Sequence, residues 1–107
     1  MLRTKQQRRT LCDCPVGRVA DLVGDSCSLL IIRDLLDQPL RFSEIQHSLE
    51  GVSTRTVASK LKYLEKRELI RRATIADGKA RVYSVTKKGA ALKDIVDAMR
   101  AYGKKYL

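Results

Sequence analysis

The chain has 107 residues, one domain's worth, and 44% of them are apolar, which excludes a disordered polar chain. Lys and Arg total 22 against 12 Asp and Glu, a formal charge of +10 that favours a polyanionic partner, nucleic acid or an anionic membrane surface. The longest apolar run, Leu29 to Ile32, is too short to span a bilayer, no apolar region follows the basic start MLRTKQQRRT, and three cysteines cannot all pair, so a cytoplasmic protein without membrane contact or a disulfide framework is expected.

Residues 1–13 read as a flexible basic arm, carrying Arg3, Lys5, Arg8 and Arg9. Structure is expected from Cys14-Pro15 onward, in one domain spanning 14–107. Proline suits a first helical turn because its missing N–H has no partner there. Val16, Val19, Ala20 and Val23 recur at helical spacing, and Gly24 makes a stop. Asp25 or Ser26 can cap a second helix whose Leu29, Leu30, Ile32, Leu35 and Leu36 form a wide apolar face. Gln38-Pro39 ends that helix. Ser43 and Gln46 fit a capping box for a short third helix with Ile45 and Leu49 inward and Gly51 closing it. Ser53 caps a fourth, with Val57, Leu61 and Leu64 as its inward stripe. Ile70 to Ile75 and Arg81 to Val85 read as strands around an Asp77-Gly78 hairpin turn. Thr86 can cap a final helix, about 87–107, with the apolar stripe Leu92, Ile95, Val96, Met99 and Tyr102. A stripe of that size must pack on the domain or on a partner.

Helix, tight turn, helix and basic hairpin make a winged helix-turn-helix, an α+β and mainly α fold. From Ser53 to Lys93, twelve Lys and Arg meet three acids, so the charge clusters on the motif. The third helix braces the fourth, which presents its N-terminal turns to base edges in the major groove. The candidate DNA contacts are Ser43, Ser53, Thr54, Arg55, Thr56, Ser59 and Lys60, with Lys79 and Arg81 from the hairpin. Small polar residues permit close approach, and Arg55 can grip a guanine edge or a phosphate. The bland alternative is a helical hairpin with a solvated basic face. It does not account for the charge clustering on one motif.

Cys14 would sit at a helix N-cap, where the helix dipole favours a thiolate. A small buried capping residue is the equal alternative. Cys12 adds a C-x-C pair that fits no common zinc motif, and His47 is the single histidine, so no metal or cofactor is expected. His47 reads as a surface or phosphate-contacting residue, and Cys27, beside an apolar run, as core. There is no nucleophile–base pair, no glycine-rich phosphate loop and no ligand cluster, which argues against an enzyme. A non-specific architectural nucleic-acid-binding protein is the alternative function. Single-stranded RNA binding is disfavoured, because one Phe and four Tyr offer no stacking platform.

Cys14-Pro15-Val16, Leu29 to Leu36, Arg41-Phe42-Ser43-Glu44-Ile45, Gly51-Val52-Ser53, Leu64-Glu65, Leu69-Ile70, Tyr83-Ser84-Val85-Thr86 and Asp97 to Gly103 together resemble the HxlR-type branch of the MarR-like winged-helix regulators, over roughly residues 14 to 103. Relatives usually carry Trp where this chain has Cys27, and paired prolines in the hairpin. The resemblance implies a homodimeric, sequence-specific transcription factor on a palindromic duplex operator. Its dimer interface would join the first and last helices, here through Val16, Val19, Leu92, Ile95, Val96, Met99 and Tyr102. It also implies that the cysteine matching Cys14 can sense an oxidant or a small electrophile, through an inter-subunit disulfide or an adduct.

Overall fold

The computed structural model describes residues 14–74 and 81–107. Helix α1 (Pro15–Val23) starts on its proline, with Cys14 as N-cap and Gly24 as C-cap. Helix α2 (Ser26–Asp37) starts after Asp25, whose carboxylate accepts the Ser28 N–H at 2.8 Å. Gln38 then turns extended, φ −168° and ψ 158°, as a following proline demands. Helix α3 (Phe42–Ser48) begins earlier than the capping-box reading of Ser43 expects. Its N-cap is Arg41, and Glu44, not Gln46, closes the box by accepting the Arg41 N–H at 2.9 Å. Gln46 instead donates from Nε2 to the Val52 carbonyl at 2.7 Å and so fastens the turn. Gly51 sits in that turn at φ +93°, a conformation that side chains rarely adopt. Helix α4 (Thr54–Lys66) is capped by Ser53, whose hydroxyl accepts the Thr56 N–H at 3.1 Å.

Strands β1 (Ile70–Thr74) and β2 (Arg81–Val85) pair antiparallel, from Ile70 opposite Val85 to Thr74 opposite Arg81. The expected Asp77-Gly78 turn and Ile75 lie outside the described residues. A further rung, missed in the sequence, joins Leu40 to Tyr83 through two backbone hydrogen bonds of 3.0 and 2.8 Å. It ties the entry of α3 to the wing, on the edge of β2 away from β1.

The expected single last helix is two. Thr86 caps only a short α5 (Lys87–Ala90), accepting the Gly89 N–H at 3.1 Å. Helix α6 (Lys93–Tyr106) then starts anew after Leu92. The break places Gly89 against β1's approach, where a Cβ on Gly89 would meet the Leu69 carbonyl oxygen at 2.0 Å.

One core joins these elements: Val23 from α1, Ile31, Ile32 and Leu35 from α2, Ile45 and Leu49 around α3, Val57, Leu61 and Leu64 from α4. Leu69, Ile70 and Tyr83 of the wing close one side, and Leu92 and Val96 another. Each such side chain contributes roughly 1.5–3 kcal/mol by leaving water. The last-helix stripe therefore divides. Leu92 and Val96, read from the sequence as dimer contacts, are 7% and 8% exposed and belong to the domain's own core. Helical spacing marks an apolar face but not which neighbour covers it. Ile95, Met99, Tyr102 and Tyr106 point outward.

Candidate nucleic-acid interface

The inward stripe of α4 fixes what its other faces can do. Val57, Leu61 and Leu64 are fully buried, which turns Arg55, Ser59, Lys62 and Lys66 to the opposite side, all exposed. Lys62 and Lys66 are not among the DNA contacts expected from the sequence, although elimination already places Lys66 off the inward face. The signal was present, because each lies seven residues beyond a chosen one, Arg55 and Ser59. Ser53 and Thr54 are exposed at the helix start. The Ser53 hydroxyl also donates to the Thr56 Oγ1 at 2.9 Å, so these two hydroxyls are engaged with each other as part of the cap. Ser43 is exposed on the first turn of α3.

Lys60 departs from the expected DNA-facing set. It is half-buried on the flank of α4, with Nζ 3.6 Å from the Asp25 carboxylate at the start of α2. Burial pushes the Asp25 carboxyl up, but the Ser28 hydrogen bonds and the Lys60 charge outweigh it and hold the group below its usual value. Tyr63, on the same flank, donates its hydroxyl to the Leu22 carbonyl at 3.0 Å. An ion pair and a hydrogen bond thus occupy the flank, and the free charge stands on the outer face.

The wing adds cations. Arg71, Arg72 and Arg81 are exposed, and Lys79 lies outside the described residues. Arg72 lines a shallow cleft with Phe42, Ala58, Lys62, Glu65 and Tyr83, between α4 and the wing. The exposed face of α4 and the wing thus present one basic surface flanking a helix N-terminus, the arrangement that neutralises duplex phosphates while offering Arg55 to a base edge.

A second surface holds an apolar trough. Pro15, Val16, Val19, Ala20, Val23 and Gly24 of α1 form a trough with Leu29 of α2 and Ile95 and Met99 of α6, of about 580 Å³. Val16 is 77% exposed and Met99 50%. Cys14 is exposed at the end of α1 and its thiol makes no capping hydrogen bond. Cys12 lies outside the described residues. Cys27 is half-buried, as its reading as core requires in part. No helix among the described residues is long and apolar enough to cross a membrane.

Comparison with known proteins agrees with this geometry. The HTH-type transcriptional regulator YodB of Bacillus subtilis is 34% identical over 95 residues, 87% of this chain and 85% of YodB. The structure of reduced YodB superposes with a TM-score of 0.74 at 33% identity, over 87% of this chain and 93% of that one; the quinone-bound form gives 0.74 at 32%, over 87% and 99%. The redox regulator HypR in its reduced form gives 0.78 at 25% identity, covering 85% of this chain and 91% of HypR. The sequence pattern of the HxlR-like helix-turn-helix proteins matches residues 22–107, from the end of α1 through the whole of α6. With its winged fold and the basic outer face of α4, the chain belongs to the HxlR-like helix-turn-helix family of DNA-binding transcriptional regulators.

Proposed function

We propose that the protein acts as a homodimer that reads a palindromic operator and responds to thiol chemistry at Cys14. The observation that carries the dimer is the outward stripe of α6. Ile95, Met99, Tyr102 and Tyr106 repeat at intervals of four, three and four residues, the spacing of a helix–helix seam, beside the trough along α1. So much exposed apolar surface is costly in a monomer, and a second copy laid α1 and α6 against α1 and α6 covers it. In the pair, the two α4 helices enter successive major grooves about 34 Å apart. Arg55 reads a base, with Ser53, Thr54 and Ser59 close to the groove floor. Lys62, Lys66 and the wing arginines hold phosphates.

Cys14 lies at the edge of that same apolar surface. YodB is known in reduced, diamide-treated and quinone-bound forms, and HypR in reduced and oxidised forms. By the same chemistry, two Cys14 thiols, one per subunit, pass two electrons and two protons to diamide, which becomes the hydrazine, and join as a disulfide. With a quinone, the sulfur adds to a ring carbon, the thiol proton ends on one quinone oxygen and the hydrogen of the attacked carbon shifts to the other, leaving a thioether hydroquinone. Either product sits where α1 meets its partner and changes the angle between subunits.

Selection of bound duplexes from a random pool tests the reading. An inverted repeat is expected, and Arg55→Ala is expected to cost about 1–3 kcal/mol on the selected site with relaxed preference at one base pair. Equal affinity for all duplexes makes the protein an architectural binder instead. For the thiol arm, diamide is expected to change the operator affinity of the parent and leave Cys14→Ser unmoved; an unchanged parent refutes it.

A further inference from the structure

The half-buried flank of α4 grips one small part of the molecule. Tyr63 and Lys60 are three residues apart, on adjacent turns of one face. Tyr63 reaches Leu22 and Lys60 reaches Asp25, so both land on the four-residue corner between α1 and α2. The two contacts complete opposite helix ends. Leu22 is in the last turn of α1, where backbone carbonyls have no donor within the helix, and the Tyr63 hydroxyl supplies one at 3.0 Å. Asp25 caps α2 with Oδ1 on the Ser28 N–H, which leaves Oδ2 for Lys60 at 3.6 Å. The corner itself is confined: a Cβ on Gly24 would lie 2.0 Å from the Ala20 carbonyl oxygen.

From this geometry we infer that Tyr63, seconded by Lys60, is a positioning residue: it sets the direction of the reading helix relative to α1, and so carries the arrangement of the dimer face to the DNA. The core stripe alone does not fix that direction. Val57, Leu61 and Leu64 are apolar contacts that lack the directional preference of a hydrogen bond. A hydrogen bond from Tyr63 to backbone is directional, and it lies off the axis of α4. Any displacement of α1 moves the Leu22 carbonyl, and α4 follows through the Tyr63 ring. Neither residue touches the proposed DNA surface, which Arg55, Ser59, Lys62 and Lys66 form. Their effect on DNA is therefore on the relation between two reading helices and not on either helix's contacts.

The inference rests on the dimer reading, and the test separates the two. Half-sites selected by the parent protein from a random duplex pool are rebuilt as inverted repeats at the selected spacing and at one base pair more and one less. The parent, Tyr63→Phe, and Tyr63→Phe with Asp25→Asn are titrated on all three and on a duplex with one half-site. Phenylalanine keeps the ring, and asparagine still caps α2, so thermal melts are expected to show folded proteins. The expected result is a parent that discriminates spacing, and variants in which that discrimination falls by about fivefold, the weight of one net hydrogen bond. Their single-half-site affinity stays within about twofold of the parent, since no DNA contact is removed. Unchanged spacing discrimination in both variants overturns the positioning role. An equal loss on every duplex also overturns it, because that is the mark of lost stability alone. A parent indifferent to spacing refutes the dimer reading instead.

Discussion

Cys14 stands exposed at the N-cap of α1, whereas Cys27 is half-buried in the first turn of α2. Burial first, and the Asp25 charge second, push the Cys27 thiol up, with Lys60 acting against them. The thiolate is the nucleophile, so in a Cys12→Ser background a maleimide at neutral pH is expected to label Cys14 well before Cys27, read by mass spectrometry after short times. Equal rates would remove the distinction. Asp25 titrates in the other sense. Its folded carboxyl lies below the ordinary value, near 4 in an unfolded chain. A depressed carboxyl contributes stability that is present above the unfolded value and is lost as pH falls through the folded one. Melting temperature is therefore expected to be insensitive to Asp25 from neutrality to about pH 5 and to drop below about pH 4. Asp25→Asn flattens that acid limb. Of the DNA contacts expected from the sequence, Arg55 and Ser59 fall on the outer face because their spacing from Val57 and Leu61 decides it. Lys60 does not, because its orientation depends on Asp25, thirty-five positions earlier, and no local pattern records that pair.

Helix starts were legible wherever the capping group is local. Pro15, Asp25 and Ser53 each act within three residues of themselves. The start of α3 is also capped locally, by Glu44 on the Arg41 N–H, but Arg41 is not a residue type that marks an N-cap, and tertiary contacts add to it and set the split between α5 and α6. Leu40 is held by Tyr83. The Thr86 N–H and the Gly89 backbone both close on Leu69, through a 3.0 Å hydrogen bond to its carbonyl and through direct approach. Gly89→Ala tests the second contact. Its methyl has backbone for a neighbour and not a flexible side chain, so α5 must shift, at about 1–3 kcal/mol. Denaturant unfolding measures it, and a loss below about 0.5 kcal/mol, the range of ordinary surface changes, would show that α5 is not seated there.

The molecule as a whole carries two kinds of surface, the cations of α4 and the wing on one and the apolar trough and stripe of α1 and α6 on another. The overall charge was legible from composition; its separation from the apolar surface was legible only in part, since Leu92 and Val96 turned to the core. Lys62, Lys66, Arg71, Arg72 and Arg81, the cations assigned to phosphates, are exposed. If each neutralises a phosphate, the logarithm of affinity falls against the logarithm of salt with a slope of about −4 to −5 per subunit. Titrations across a salt series measure it, and a slope near −1 would mean that most of these cations miss the backbone.

β2 lies between two partners, Leu40 on one edge and β1 on the other, which leaves β1 as the outer strand of the wing. An outer strand offers its unpaired N–H and C=O groups to any passing chain, and flat apolar edges of this kind seed aggregation. β1 buries only Ile70 and exposes Arg71, Arg72, Ala73 and Thr74. The adjacent arginines make that edge repel another copy of itself, so the same charges that suit a phosphate backbone also keep the regulator from stacking wing to wing when no DNA is present.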